Sequence, residues 1–442
     1  MKTKAAAPSM TGDVTSLADP ASFESKTYAK VGRRLIPFLM LCYLGAYLDR
    51  VNVGFAKLQM LNDLRFSETV YGFGAGIFFL GYFLFEVPSN LMLHKVGARN
   101  WLARIMLTWA VISASFVFVK SPTTFYVLRF LLGVAEAGFA PGVILYLTYW
   151  FPSAQRAKAL SLFFMAIPLA GIVGGPLSGY ILHAFQGVHG LAGWKWLFIL
   201  EALPSLLLGV AILLYLDNGI AAAKWLTDPE KALLARNVAS DNAHKIAHVS
   251  IRSFIGDRRL WLMAAIYFCV VLGQYGLTFW LPTIIRKSGV ADPLWVGIFT
   301  AVPYLCAIIA LPLVGASADR HRERRLHLAI PMLVSAAGFA TLPMLGGVGA
   351  SLVCVSVAAA GILASSSQFW SLPTALLGGM SAAAGIAAVN CFANLAGFFS
   401  PAIVGWLNDL TGKSTAGLIF ISVAIVMGAA LVFLVPAKSV NR

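Results

Sequence analysis

The chain contains 442 residues, of which 59% are hydrophobic and only 12% are charged. An ordinary soluble domain carries about 25% charged residues, so the composition excludes a soluble enzyme, a secreted disulfide-rich domain and a disordered protein. The formal charge of +15 could indicate nucleic-acid binding, but the placement of the basic residues explains it differently.

Twelve apolar segments are long enough to cross a membrane, which takes about 20 residues per helix. They predict an all-α integral membrane protein with two six-helix bundles, residues 31–216 and 259–436. Residues 1–30 and 437–442 are predicted tails, and residues 217–258 a polar linker. The spans are predicted near 33–56, 71–93, 101–119, 123–150, 156–185, 193–216, 259–285, 294–318, 326–346, 350–376, 381–407 and 415–436.

The basic residues indicate the orientation of these spans. If the N-terminus is cytoplasmic, 24 of the 33 Lys and Arg residues lie on the cytoplasmic side and 7 on the other. This asymmetry follows the positive-inside rule and makes nucleic-acid binding an unnecessary explanation. We therefore expect a multi-pass protein of the bacterial inner membrane, in contact with lipid, with both termini cytoplasmic. We also expect a monomer.

The two halves carry signs of an internal duplication. A basic cluster follows His94 after the second span, and a similar cluster follows Asp319 after the eighth, 225 residues later. Such repeats are typical of transporters that rock two bundles around a midplane site. The small residues from Gly171 to Gly179 predict a close helix-packing segment.

Ionisable residues inside the predicted spans occur only in the first half. Because burying a charge in a membrane is costly, such residues usually have a function. The second half offers only neutral polar side chains, including Gln274 and Tyr275. This predicts charge movement in the first bundle and neutral recognition in the second. The charged residues of the first half are Asp49, Arg50, Glu86, Arg129 and Glu136, with Glu201 nearer an interface.

Helical spacing sorts these charges by direction. Tyr47 and Arg50 share a face, Asp49 points about 100° away from Arg50, and Arg129 and Glu136 lie two turns apart on one face. We expect Arg50 to meet an anionic substrate, and Asp49 and Glu136 to load protons. Structural ion pairs remain the alternative, and Arg129 could mainly neutralise a carboxylate.

Three further side chains give weaker indications of function. Glu86 and Glu201 are interpreted as structural residues. Trp370 is either a pocket wall or a packing residue. The five cysteines lie in apolar segments without CxxC spacing and predict neither disulfides nor a metal site.

Several motifs together resemble a known family, the anion:cation symporter branch of the major facilitator superfamily. The resemblance covers residues 30–436 and is closest to bacterial tartrate, phthalate, hydroxyphenylacetate and sugar-acid permeases. The motifs are Tyr47-Leu-Asp49-Arg50-Val-Asn52, Arg129-Phe-Leu-Leu-Gly-Val-Ala-Glu136, Tyr149-Trp-Phe-Pro152, Phe279-Trp-Leu-Pro282 and Phe369-Trp370-Ser-Leu-Pro373.

The resemblance implies the major facilitator fold and roles for individual residues. It implies proton coupling by Asp49 and Glu136. Two departures stand out: His94 replaces a customary Asp, and a fifth-helix Gln of one relative is replaced near Ile167 or Pro168, so the pocket could suit a less hydroxylated acid. Together with the neutral residues above, the candidate substrate-binding set is Tyr47, Arg50, Tyr82, Arg129, Gln274, Tyr275, Ser367, Trp370 and Asn390.

These observations predict a proton-coupled importer of a small organic anion. The sequence contains no nucleotide-binding or metal-binding motif, so we expect no cofactor, only a proton gradient. A drug or metabolite exporter remains an alternative, because the Gly-Gly-Pro segment at 174–176 resembles a motif of drug:proton antiporters. A ligand-binding receptor and a membrane enzyme are less favoured, since neither a signalling domain nor a nucleophile with its base is evident.

Overall fold

A computed structural model describes residues 20–243, 257–376 and 381–440. Within these ranges, twelve helical segments are long and apolar enough to cross a membrane, which confirms the predicted number. In the first bundle they are α1 Pro20–Leu64, α2 Glu68–Val96, α3 Ala98–Ala114, α4 Pro122–Glu136 with Phe139–Thr148, α5 Ser153–Phe164 with Ala166–Ala184, and α6 Gly193–Tyr215. In the second they are α7 Arg258–Lys287, α8 Pro293–His321, α9 Arg325–Thr341, α10 Val348–Phe369 with Ser371–Leu376, α11 Ser381–Asn394 with Ala396–Thr411, and α12 Ser414–Val432.

Shorter elements complete the described chain. A helix within the predicted linker, which we call the linker helix, spans Asp228–Ala243. Short helical turns lie at Ser115–Phe118, Val188–Gly190, Ile220–Ala222 and Leu342–Met344, and a last helical turn at Ala437–Val440. The predicted regions that fall on 1–19, 244–256, 377–380 and 441–442 lie outside the described residues.

The first helix is longer than the sequence predicted. It begins at Pro20, inside the predicted tail, and continues to Leu64. Its first turns contact the linker helix, where Lys30 Nζ lies 2.8 Å from Glu230 Oε2. Asn237 Nδ2 donates to Glu24 Oε1 at 2.9 Å. These polar contacts explain why a hydrophilic segment is helical there.

The linker helix is also attached to α5. Asp241 Oδ2 accepts hydrogen bonds from the Ser153 backbone N–H at 3.1 Å and from the Ser153 hydroxyl at 3.0 Å. Arg156 Nη2 lies 3.4 Å from the same oxygen. We call the membrane surface that carries the linker helix the termini face, and the opposite surface, where α1 ends, the far face.

Near the far face the two bundles meet through glycines. On one side α2 packs against α11, and a side chain at Gly72 would overlap the carbonyl of Pro401. On the other side α5 packs against α8, where a Cβ at Gly175 would lie 2.7 Å from the carbonyl oxygen of Gly297. The second contact confirms the predicted packing role of the 171–179 segment.

Toward the termini face the same helices separate. The α5 segment Ser153–Phe164 packs mainly against α1 and its own bundle, whereas the far-face segment Ala166–Ala184 makes the extensive contact with α8. Segment Ser381–Asn394 of α11 likewise contacts α2 only sparsely, while Ala396–Thr411 contacts it extensively. The two bundles therefore pack closely against each other near the far face and only loosely toward the termini face.

The glycine contact between α5 and α8 gives a testable expectation. Gly297→Val should force the bundles apart at the far face, because a Cβ at this position overlaps the backbone of Gly175. Spin labels at His189 and Ala291 should then report a longer distance by pulsed electron paramagnetic resonance. Gly349→Val is the matched control, since a Cβ at Gly349 meets open space. An unchanged distance in Gly297→Val would contradict the packing account.

Candidate functional site

Arg50 lies at the interface of the two bundles, in a cage of aromatic rings. Its guanidinium carbon is 5.1 Å from the ring centre of Tyr47, 5.2 Å from that of Phe78 and 5.5 Å from that of Tyr82. From the second bundle, the Tyr275 hydroxyl accepts a hydrogen bond from Arg50 Nη1 at 3.4 Å. Aromatic faces attract a guanidinium through cation–π interactions. The cage therefore holds a positive charge where both bundles can contact it.

Glu136 neutralises this charge. Arg50 Nη2 forms an ion pair with Glu136 Oε1, and both side chains are nearly buried. Among the described residues, Arg50 Nε has no hydrogen-bond partner. A buried ion pair is held together strongly, and removal of either partner leaves an uncompensated charge. Glu136 thus occupies one edge of the guanidinium while Nε remains available for another acceptor.

The position of Glu136 depends on a break in α4. The first segment of α4 ends at Glu136 and the second starts at Phe139. Between them Gly138 has φ +85°, a conformation that L side chains rarely adopt. A Cβ there would lie only 2.4 Å from the Ser89 hydroxyl of α2. The glycine therefore lets α4 bend against α2 just past the ion pair.

Asp49 points away from Arg50, as the helical spacing predicted. It is 1% exposed and lies inside the first bundle. Its Oδ1 accepts from the Ser113 hydroxyl at 2.7 Å, and its Oδ2 accepts from Ser205 at 2.6 Å and from Trp109 Nε1 at 3.1 Å. All three donors are neutral groups on α3 and α6. Asp49 is therefore a buried acid stabilised by hydrogen bonds alone.

Arg129 is fully buried against α2. Its Nε donates to the carbonyl of Gly74 at 3.2 Å and its Nη2 to that of Ala75 at 3.1 Å. The ring of Phe78 contacts the guanidinium groups of both Arg129 and Arg50. In this conformation Arg129 ties α4 to α2, and its predicted contact with substrate stays a prediction.

The predicted residues of the second bundle separate into two groups. Tyr275 contacts Arg50, whereas Trp370 packs against Tyr267 with ring centres 4.7 Å apart. Tyr267 also lies beside Ser366, one residue before the predicted Ser367. The other three predicted residues make no contact with Arg50 within the described ranges. They are the half-buried Gln274 and Asn390 and the exposed Ser367.

The hydrogen-bond partners of Asp49 were not predicted from the sequence. Trp109 and Ser113, and likewise Glu201 and Ser205, are i,i+4 pairs, a spacing that could have placed them on shared helix faces. The placement of Glu201 near an interface was wrong. It is 1% exposed and lies eight residues, or about 12 Å of helix, from the start of α6.

The predicted location of Lys57 was also wrong. The predicted first span ended at residue 56, which put Lys57 in a loop, but α1 continues to Leu64 and buries this side chain to 4% exposure. Its Nζ lies 2.6 Å from Glu68 Oε2 and 3.5 Å from the ring centre of Trp280 in the second bundle. Lys57 therefore joins the two bundles near the far face.

The contrast between the two buried arginines is testable. We expect Arg129→Gln to lower the free energy of unfolding by about 2 kcal/mol, because it removes charge-assisted hydrogen bonds to two α2 carbonyls. Thermal unfolding of the purified protein should show a lower melting temperature, with the exposed Arg65→Gln as control. A melting temperature equal to that of the control would contradict this packing role.

Comparison with known proteins places the chain in a family. Residues 39–401 match the family model described as Major Facilitator Superfamily. "Putative metabolite transport protein NicT" of Pseudomonas putida is 47% identical, over 94% of this chain and 95% of the relative. A "Putative tartrate transporter" of Agrobacterium vitis is 45% identical, over 94% and 92%. "Quinolone resistance transporter" of Acinetobacter baumannii is 41% identical, over 94% and 96%.

A solved structure supports the fold. The bacterial homologue of the human lysosomal transporter Spinster, in an inward-facing and occupied conformation, superposes with a TM-score of 0.75 at 16% identity, over 92% of this chain and 96% of that one. Transporters of the matched superfamily are not enzymes and need no cofactor. The chain therefore belongs to the major facilitator superfamily of membrane transporters, and its relatives fit the anion:cation symporter branch that its motifs resemble.

Proposed function

We propose that the protein imports a small organic anion together with protons. The substrate class is a hydroxy, sugar-acid or aromatic carboxylate of the tartrate type, in keeping with the name of the tartrate-transporter relative. The observation that carries this proposal is the caged Arg50, which is paired with Glu136 but has a free Nε at the bundle interface. A planar guanidinium binds carboxylates with two parallel hydrogen bonds.

The ion pair supplies the coupling. One guanidinium does not neutralise both Glu136 and a substrate carboxylate in a low-dielectric site. A proton on Glu136 removes its charge and leaves Arg50 free for the substrate. Proton binding and anion binding then favour each other, and this linkage is reciprocal.

The proposed direction of transport follows from the distribution of basic residues and from the packing of the two bundles. The excess of basic residues favours a cytoplasmic termini face in a bacterial inner membrane. The looser packing of the bundles at that face then corresponds to an inward-facing state. If Asp49 and Glu136 each carry a proton with a monovalent anion, one net positive charge enters per cycle. At a membrane potential of 100 mV this contributes roughly 2.3 kcal/mol to accumulation.

The neutral second bundle is the proposed source of selectivity. Gln274, Ser367, Trp370 and Asn390 offer hydrogen bonds and an aromatic surface but no charge. A site built to bond a substrate hydroxyl rejects analogues that lack it. These residues would therefore choose among carboxylic acids, while Arg50 holds the carboxylate that all of them share.

An exporter of drugs or metabolites is the second candidate, because one relative is named as a quinolone resistance transporter. The two functions differ in transport direction and in the need for Arg50. Cells that express the protein should take up an organic acid without any change in quinolone susceptibility. Lower susceptibility without acid uptake would favour the exporter.

Substitution of Arg50 tests substrate charge recognition. We expect Arg50→Gln and Arg50→Lys to abolish saturable uptake, because neither side chain can bind a carboxylate with the planar fork of Arg. Uptake of radiolabelled tartrate and related acids into proteoliposomes measures this. Arg65→Gln, in an exposed turn, is the control and should keep normal uptake. Saturable uptake in Arg50→Gln would reject the assignment.

Substitution of Glu136 tests proton coupling. In Glu136→Gln the neutral amide mimics the protonated acid, so substrate exchange between loaded compartments should persist while gradient-driven accumulation is lost. Proteoliposomes with the pH gradient and the membrane potential set separately distinguish the two activities. Wild-type accumulation that ignores both gradients, or that requires sodium, would rule out this mechanism.

A further inference from the structure

A stripe of polar side chains runs along α1 from Asp49 toward the far face. Its members are Asp49, Asn52, Gln59 and Asp63, which at about 100° per residue fall within a sector of about 80°. This face looks into the first bundle, toward α5 and α6, and away from Arg50. The stripe is therefore separate from the caged arginine.

The outer part of the stripe is hydrogen-bonded to both neighbouring helices. Gln59 Nε2 donates to the Leu182 carbonyl at 3.3 Å, and Gln59 Oε1 accepts from the Trp194 backbone N–H at 3.0 Å. Asp63 Oδ2 accepts from Trp194 Nε1 at 2.8 Å. Polar groups thus reach from the far-face end of α1 into the bundle.

The middle of the stripe faces Glu201. This carboxyl is 1% exposed, and its Oε1 accepts from the Ser178 hydroxyl at 2.6 Å. Its Oε2 has no hydrogen-bond partner in the part of the chain that the structure describes. The Asn52 side chain, itself 1% exposed, lies beside Glu201, yet neither of its amide atoms completes a hydrogen bond within the described ranges. An open carboxyl oxygen and an open amide therefore face each other in the bundle interior.

The surroundings favour a protonated Glu201. The charged group that acts on it from the packed helices is Asp49, which is also acidic, while Ser178 and Asn52 are neutral. Two buried carboxylates without a cation beside them are unfavourable, so one of the pair is expected to hold a proton. A protonated Glu201 could donate its O–H to the open Asn52 carbonyl oxygen.

Glu201 is also placed next to Asp49 in the stripe. It lies one helical turn from Ser205, whose hydroxyl donates to Asp49 at 2.6 Å. Along α1, Asn52 is one turn closer to the far face than Asp49. A proton that entered from the far face would therefore meet Glu201 before Asp49.

We propose that Glu201 is a proton-relay residue between the far face and Asp49, a role that rests on the proposed function. In the relay step the O–H bond of Glu201 breaks and the proton binds the Asp49 carboxylate. Glu201 becomes the carboxylate, so the charge of the pair does not change. It takes the next proton from the far face when that face is open to water.

The test compares two activities of the same proteoliposomes. In Glu201→Gln, the initial rate of uptake driven by a pH gradient should fall at least about tenfold, because a positioned acid is lost from the proton route. Exchange of substrate at equal pH should stay within about twofold of wild type, since exchange needs no net proton transfer. Ser178→Ala, which keeps the acid and removes only its hydrogen bond, should retain both activities, and Glu201→Asp should give an intermediate driven rate.

Three results would overturn the relay. Equal uptake driven by the pH gradient in Glu201→Gln and wild type would show that Glu201 does not take part in proton transfer. Loss of exchange in proportion to driven uptake, with the same loss in Ser178→Ala, would make it a packing residue. If Glu201→Gln does not fold, Glu201→Met takes its place as the variant without an acid, and a wild-type driven rate in Glu201→Met would reject the relay. Wild-type uptake without proton dependence would instead remove the proposed function itself, so the two failures are distinguishable.

Discussion

The ion pair between Arg50 and Glu136 is the interaction on which the site depends. It places opposite charges in the apolar centre of the molecule, where each would be costly without the other. The aromatic cage excludes water from the pair, and Tyr275 extends it to the second bundle. Any anion that binds the guanidinium competes with Glu136 for its positive charge. This is why binding of the anion and binding of a proton to Glu136 would be linked.

The packing of the bundles makes such a site accessible from one face at a time. Close backbone approach at Gly72 and at Gly297 seals the far face. Lys57 adds a polar contact there, because it pairs with Glu68 of its own bundle and lies against Trp280 of the other. These contacts are extensive, but small or polar groups form much of them. Two rigid bundles can separate at such a surface without exposing a hydrophobic core of their own.

The first bundle carries its charges in two distinct environments. Arg50 and Glu136 face the second bundle, whereas Asp49 and Glu201 face the interior, among neutral hydrogen-bond donors. The 100° offset between neighbouring helix positions produces this division from two adjacent residues, Asp49 and Arg50. Under the proposed function, the Arg50 face would bind the substrate and a proton on Glu136. The interior face would carry protons through Glu201 and Asp49.

Much of this arrangement could be predicted from the sequence, since membrane spans and helix faces depend on local patterns. The twelve helices and the divergence of Asp49 from Arg50 follow from hydropathy and helical period. The burial of Lys57 and Glu201 could not be predicted, because it depends on partners such as Trp280 and Ser178 that are distant along the chain. The hydrogen bonds from Arg129 to backbone carbonyl groups could not be predicted either, because every residue has a carbonyl group and the sequence does not indicate which one will be the acceptor.

The central claim is that an anion and a proton bind together because both act on the Arg50–Glu136 pair. Calorimetric titration of the purified protein with tartrate or a better-bound acid, in buffers of different ionisation enthalpy, measures the protons taken up on binding. The account predicts proton uptake in wild type and its reduction in Glu136→Gln. Binding of the acid with no proton uptake by the wild-type protein would contradict it.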